Sequence, residues 1–216
     1  MKDGFSHIDT WVFDLDNTLY DAEQYVFPEM GRRMTGFVAE LLDLTEDVAD
    51  KVRKDYFHKY GTTLRGLMTE HGVAPDIFLQ DVHDFDIAGI MPCAVTREGL
   101  SRLQGRKFIF TNAPRHFAMR MLAHLNIADL FDDVFAVEDA DYWPKPHLDT
   151  YHAFIRKHRI QAARSCMFED MAVNLKPAHD LGMTTVWVHA SSKLEKHDHI
   201  HHSHENLRQW IAHAFE

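Results

Sequence analysis

The sequence predicts an α/β fold, a doubly wound parallel sheet whose first strand is followed by a run of helices instead of a direct crossover. Three observations carry that expectation. Five short apolar runs recur along the 216 residues. They are continuous rather than alternating, as strands covered on both faces require. Helical patterns separate the last four, the arrangement that builds βαβ units.

The first run, IDTWVF, ends at residue 13 and is followed by Asp14 and Asp16. The next stretch, about ninety residues, holds no strand pattern and reads as helices. One covers 28–42, and a second follows Thr45 with Glu46 and Asp47 in its first turn, where carboxylates suit the positive end of the helix dipole. A third covers 62–71 and stops at Gly72, and a fourth runs from Pro75 to about residue 84. A crossover helix at 96–103 returns the chain to the second run, KFIFT, at 107–111. A helix opened by Pro114, the run DVFAV at 133–137, the helix LDTYHAFIRKH, the run SCMFE at 165–169, the helix MAVNLKPAHDLG ending at Gly182, and the run TTVWV at 184–188 complete the series. This divides the chain into an α/β core, 1–20 with 92–216, and a helical insert, 21–91. No internal repeat is present.

Composition narrows the function. Hydrophobic residues make up 45% and charged residues 26% of the chain, and no apolar run reaches the ~20 residues that span a bilayer. The first ten residues, MKDGFSHIDT, lack an apolar signal core and an Arg-rich leader pattern, so the expectation is a cytoplasmic protein. Cys93 and Cys166 are too few for a disulfide framework and lack metal-site spacing. A formal charge of −10 opposes binding to nucleic acid polymers or anionic membranes. A phosphorylated small molecule would need a local positive charge, and a bound cation is the simplest source. The oligomeric state stays open between monomer and homodimer.

In open parallel sheets, ligands bind beyond the carboxyl ends of the strands. The polar residues there are Asp14 and Asp16 after the first run, Thr111 and Asn112 after the second, Lys145 some eight residues after the third, and Glu169 with Asp170 at the end of the fourth. Four carboxylates facing one lysine repel one another strongly. A hard divalent cation relieves that repulsion, and an all-oxygen donor set suits Mg2+ better than zinc. In this arrangement Asp14 is a nucleophile toward phosphorus and Asp16 an acid/base, while Asp14, Asp16 and Asp170 are metal ligands with Glu169 behind them. Thr111, the backbone amide of Asn112, and Lys145 hold phosphoryl oxygens.

The ordered motifs DLDNTLY, FTNA, Lys145-Pro146 and FEDMAVN resemble those of the haloacid dehalogenase superfamily of phosphohydrolases across nearly the whole chain. The resemblance implies a Rossmann-like core, Mg2+ dependence, an aspartyl-phosphate intermediate and a C1-type helical cap made by the insert. Within the superfamily, DLDNTLY, YGTTLRGLM, FTNAPRHFAMRML and FEDMAVN together look like the pyrimidine 5'-nucleotidase group. That resemblance implies a nucleoside monophosphate such as UMP or CMP as substrate. The departure is in the fourth motif, where Glu169-Asp170 stands in place of the group's usual Asp-Asp.

Two other readings stay open. One is a phosphosugar phosphatase or phosphomutase on the same core; the other is a phospholigand- or metal-binding protein without turnover. Asp16 disfavours a dehalogenase, because it supplies the proton an alkoxide leaving group needs. The segment KHDHIHHSHE, with five histidines in ten residues, reads as surface histidines or as a zinc or nickel site. Tyr20, Tyr25, Tyr56, Tyr60 and Arg65 are candidates to line a base pocket or to pack as helix-face residues. Asn174 either orients the loop of the fourth motif or faces another helix.

Overall fold

The structure is a computed structural model that describes residues 4–193 and 195–215. The expected core boundaries at residues 1 and 216, and the first three residues of the N-terminal decapeptide, lie outside the described residues. The five anticipated strands are β1 (Thr10–Phe13), β2 (Arg106–Phe110), β3 (Asp133–Phe135), β4 (Ser165–Glu169) and β5 (Thr184–Val188). A sixth, β6 (His202–His204), joins them in one sheet of order β3-β2-β1-β4-β5-β6. All pairings are parallel. This is the Rossmann-like order, and it reverses at β1, between its neighbours β2 and β4.

The continuous apolar runs feed two cores because successive side chains alternate faces. Trp11, Phe13, Ile109, Cys166 and Phe168 pack on one side, with α5 (Ala94–Arg102), α6 (Arg115–His124) and α9 (Leu207–Phe215). Val12, Phe108, Phe110, Met167 and Trp187 pack on the other, with α7 (Leu148–His158) and α8 (Ala172–Asp180). Phe13 and Phe168 stack across β1 and β4 with ring centroids 4.6 Å apart, fixing the sheet's centre directly beneath the functional strand ends. Gly105 turns the chain into β2 at φ +96°, and a Cβ there would sit 2.2 Å from the Asp9 carbonyl oxygen. Only glycine fits that approach.

Between β1 and α5 lie the anticipated helices α1 (Val26–Leu42), α2 (Glu46–Tyr60), α3 (Thr63–His71) and α4 (Pro75–His83). Thr62 caps α3 by accepting from the Arg65 amide, and Gly61 and Gly72 end α2 and α3 in left-handed conformations. These helices close around their own apolar cluster, including Val38, Leu64, Leu67, Phe78 and Val82. A core residue, Val137, joins that cluster. This explains why β3 stops at Phe135 rather than at 137: the chain turns into a 3-10 helix, Val137–Ala140, and packs Val137 against the insert.

Two elements lie outside the series of apolar runs and helical patterns. β6 is built from the histidine tract, a half-exposed edge strand with no apolar run to announce it. α9 did carry a signal, because Leu207, Trp210, Ile211 and Ala214 follow helical spacing and all are buried. Among the described residues, no helix is long and apolar enough to cross a membrane.

Candidate active site

The carboxyl ends of β1 and β4 bring Asp14, Glu169 and Asp170 together, and the loop between the 3-10 helix Val137–Ala140 and α7 carries Lys145 to them, beside the end of β2 where Thr111 follows Phe110. Asp14 stays on the ladder, its amide donating to the Phe168 carbonyl at 2.9 Å, and Leu15 turns fully into the core. Asp16 therefore projects one step beyond Asp14. The Tyr20 hydroxyl donates to its carboxylate, and Asn17, at φ 59°, closes the turn by accepting from the Ala22 amide at 2.8 Å.

Lys145 lies 131 residues from Asp14 in sequence, yet its ammonium donates to Asp14 Oδ1 at 2.7 Å. It also donates to Glu169 Oε2 at 2.6 Å and to the Phe110 carbonyl at 2.7 Å. The side chains of Lys145 and Glu169 are each 1% exposed, so these are buried ion pairs. Asn112 sets the lysine's place: its Oδ1 accepts from the Lys145 amide at 2.7 Å and its Nδ2 donates to the Lys145 carbonyl at 3.3 Å. The motif points to the Asn112 backbone amide as a phosphate donor; the clamp its side chain makes on the lysine loop, 33 residues away, carries no local sequence signal. Thr111 Oγ1 accepts from the Ala113 amide at 3.0 Å, shaping the turn after β2.

Glu169 spends its remaining oxygen on Asn174 Nδ2 at 3.0 Å and the Met171 amide at 3.3 Å. Asn174 thus orients the glutamate, and Glu169 anchors Lys145. Asp170 is half-buried, its carbonyl accepting from Trp187 Nε1 at 2.7 Å. Among the described residues, the group of side chains placed to share a cation is Asp14, Glu169 and Asp170, whose oxygens lie within 4.8 Å of one another. Asp16, expected as a ligand, keeps its carboxylate on Tyr20 instead of entering this group.

Crowding shows in the proton affinities. Burial, followed by the charge of Glu169, pushes Asp14 up to about 7 despite Lys145. Burial and then Asp14 raise Asp16 to about 7. Burial also raises Glu169 to about 7 and, with the charge of Asp14, Asp170 to about 6. Burial opposes the charge on Lys145, but Asp14 and Glu169 outweigh it and raise the lysine. Hard oxygen donors that repel one another to this degree fit a divalent cation such as Mg2+.

The histidine tract forms no comparable group among the described residues. His199 Nε2 bonds the Ala172 carbonyl at 2.8 Å, and His201 Nδ1 accepts from the Thr185 amide at 3.1 Å. These rings tie β6 to its neighbours. The insert's candidates are engaged as well: Tyr56 meets His71 at 2.6 Å, Tyr60 donates to Glu70, and the Arg65 guanidinium lies 3.7 Å from the Trp143 ring. Tyr20 and Tyr25 instead line a cavity of about 660 Å3 that adjoins Asn17 and Asp170.

The fold and its row of strand-end carboxylates define a hydrolase, and the chain belongs to the haloacid dehalogenase-like hydrolases, whose family model matches residues 8–182. Glyceraldehyde 3-phosphate phosphatase of Methanocaldococcus jannaschii is 27% identical over 192 residues, covering 81% of this chain and 82% of that protein. Phosphate metabolism protein 8 of Saccharomyces cerevisiae is 29% identical over 136 residues, 56% of this chain but only 41% of the yeast protein. Among solved structures, a HAD phosphatase from Thermococcus onnurineus superposes with a TM-score of 0.69 at 15% identity, covering 96% of this chain and 98% of that one. The putative HAD-hydrolase YfnB of Bacillus subtilis, solved bound to magnesium, superposes with a TM-score of 0.61 at 16% identity, covering 97% and 99%. At such identities the structural likeness speaks for the fold.

Proposed function

We propose that this protein is a Mg2+-dependent phosphomonoesterase acting through an aspartyl-phosphate on Asp14, with nucleoside 5'-monophosphates, pyrimidine nucleotides foremost, as substrates. The observation that carries the reading is the pair Asp14 and Asp16. One carboxylate is buried and held by Lys145, and the other is held apart by Tyr20. Such a pair separates the nucleophile from the proton donor.

In the first step an Asp14 oxygen attacks phosphorus, the bond from phosphorus to the leaving oxygen breaks, and Asp16 gives that oxygen its proton. In the second, water attacks phosphorus, Asp16 takes the water's proton, and the bond from Asp14 to phosphorus breaks. A neutral Asp16 near pH 7 suits the first step, and its raised affinity supports that form. Lys145 steadies Asp14, and Thr111 with the Asn112 amide receives phosphoryl oxygens. Asp14 and Asp170 would hold Mg2+, with Asp16 and Glu169 beside them; bound there, the ion supplies positive charge that the phosphoryl oxygens and the carboxylates share.

The insert, 21–91, acts in this reading as a lid on the core of 1–20 and 92–216, excluding water while Asp14 is attacked. The contacts of Val137 with the insert's cluster and of Tyr142 with Asp76 at 3.2 Å support a lid that rests on the lysine loop. A phosphosugar substrate is the second reading, favoured by the likeness to the archaeal glyceraldehyde 3-phosphate phosphatase. A phosphate-release screen over nucleoside monophosphates and sugar phosphates, with and without Mg2+, tests both. A higher kcat/KM for UMP or CMP than for AMP, GMP and sugar phosphates is expected. A clear preference for sugar phosphates rejects the nucleotidase assignment, and undiminished turnover in EDTA rejects the metal site.

A further inference from the structure

We infer that the organic part of the phosphomonoester is bound in the cavity beside Asp170, between the ends of the insert and the β5–β6 edge of the core, and that substrate preference is set there rather than by α2 and α3. This rests on the phosphomonoesterase reading for the reaction but not on which phosphomonoester is cleaved.

The position follows from shared residues. Asp170, whose carboxylate is grouped with that of Asp14, lines the cavity together with Asn17. Tyr20 belongs to both sites: its hydroxyl donates to Asp16 and its side chain forms part of the cavity wall. A leaving oxygen protonated by Asp16 therefore has its attached carbon skeleton next to this opening. At about 660 Å3 the space lies within the ~300–1,000 Å3 typical of sites that enclose small organic ligands.

The lining describes the ligand. Leu19, Ile127, Val188 and Leu207 supply apolar wall. Tyr25 is 54% exposed and lies against Gly89, where a Cβ would come within 3.3 Å of its ring, so one side is backed by main chain and the rest is available for stacking. His189 lies parallel to Trp187, with ring centroids 5.3 Å apart, and adds a second flat group. Asn206 and the exposed Arg208 bring polar donors at the start of α9. Flat rings, apolar wall and a few donors suit a ring-bearing, hydrogen-bonding skeleton of nucleoside size.

The insert contributes only its two ends, residues 21–25 and 89–91, apart from which no residue of α1 to α4 lines the space. Tyr56, Tyr60 and Arg65 are committed to His71, Glu70 and Trp143. Selection by the connecting segments and the core, with the helices serving as a cover, accounts for both facts.

The test uses the full chain with Mg2+, whichever substrate the phosphate-release screen prefers, and methyl phosphate as a reference that has no skeleton to fill the cavity. In Tyr25→Ala and Arg208→Ala, the ratio of kcat/KM for the preferred substrate over methyl phosphate is expected to fall about tenfold or more, mainly through KM. In Tyr60→Ala the ratio is expected to hold. An unchanged ratio in both cavity variants, or a fall confined to Tyr60→Ala, overturns the inference. A preference for sugar phosphates defeats the nucleotidase reading while this ratio still decides the cavity's role. A second readout needs no turnover: Cys93 lines the cavity whereas Cys166 is buried, so alkylation of Cys93 by N-ethylmaleimide reports on occupancy. Saturating UMP or the preferred substrate should slow that alkylation in Asp14→Asn, and an unchanged rate with both ligands overturns the inference.

Discussion

Replacing Lys145 by methionine keeps the length of the side chain and removes its charge. The ammonium donates to Asp14 at 2.7 Å and to Glu169 at 2.6 Å, and the three side chains are between 1% and 9% exposed. Breaking a buried ion pair by removing one partner costs ~3–5 kcal/mol, because the other charge is left without compensation. Here two carboxylates are left, so a loss of about 4 kcal/mol at pH 8 is expected, equivalent to a fall in Tm of roughly 10 °C for a chain of this size. The sign of the pH dependence follows from the carboxylates. Asp14 and Glu169 are already raised to about 7 with the lysine present, so the folded state binds protons more tightly than the unfolded state between about 4 and 7. Removing the ammonium raises both further, and protonation then relieves the stranded charges. The deficit should therefore shrink at pH 5. Urea unfolding of wild type and Lys145→Met in EDTA, at pH 8 and pH 5, measures it. A deficit below about 1 kcal/mol at pH 8, or one that grows at pH 5, would refute the reasoning.

Asp14→Asn should fold normally and release no phosphate, whereas Asp16→Asn should lose about 10²-fold to 10⁴-fold in rate and accumulate phosphoenzyme in rapid-quench experiments. Turnover should vanish in EDTA and return with Mg2+, with Asp170→Ala shifting the Mg2+ titration to higher concentration; the readout is phosphate release against free Mg2+. His83, buried in α4 with Nδ1 on the Leu79 carbonyl at 2.9 Å, is pushed down to about 4 by burial, with His116 and Arg120 adding to the effect. The unfolded chain takes up that proton near 6.5, so the stabilising contribution is complete above 6.5 and is lost as pH falls toward 4, about 2 kcal/mol of it by pH 5. Wild type should lose more stability than His83→Gln between pH 7 and pH 5 in urea titrations, a difference that isolates this histidine from the carboxylates of opposite sign.

Much of the architecture was legible in the chain alone. IDTWVF, KFIFT, DVFAV, SCMFE and TTVWV announce strands because a strand covered on both faces needs apolar side chains at consecutive positions, a local requirement. The carboxylates after β1 and β4 were equally legible, since strand ends in a parallel sheet point to one edge. Partnership was not. Two aspartates of identical chemistry, two residues apart, become different groups because Lys145 reaches Asp14 and Tyr20 reaches Asp16. The Asn112 clamp that delivers Lys145, and the Asn174 bond that turns Glu169 toward it, join residues 33 and 5 positions apart. β6 was hidden for a similar reason: His202–His204 has no apolar pattern and becomes a strand through pairing with β5. Local hydrophobic patterning determined the elements and their order. Which carboxylate is paired, and which segments enclose the cavity beside Asp170, only the tertiary structure decided, because electrostatic and packing partners are chosen across the folded chain.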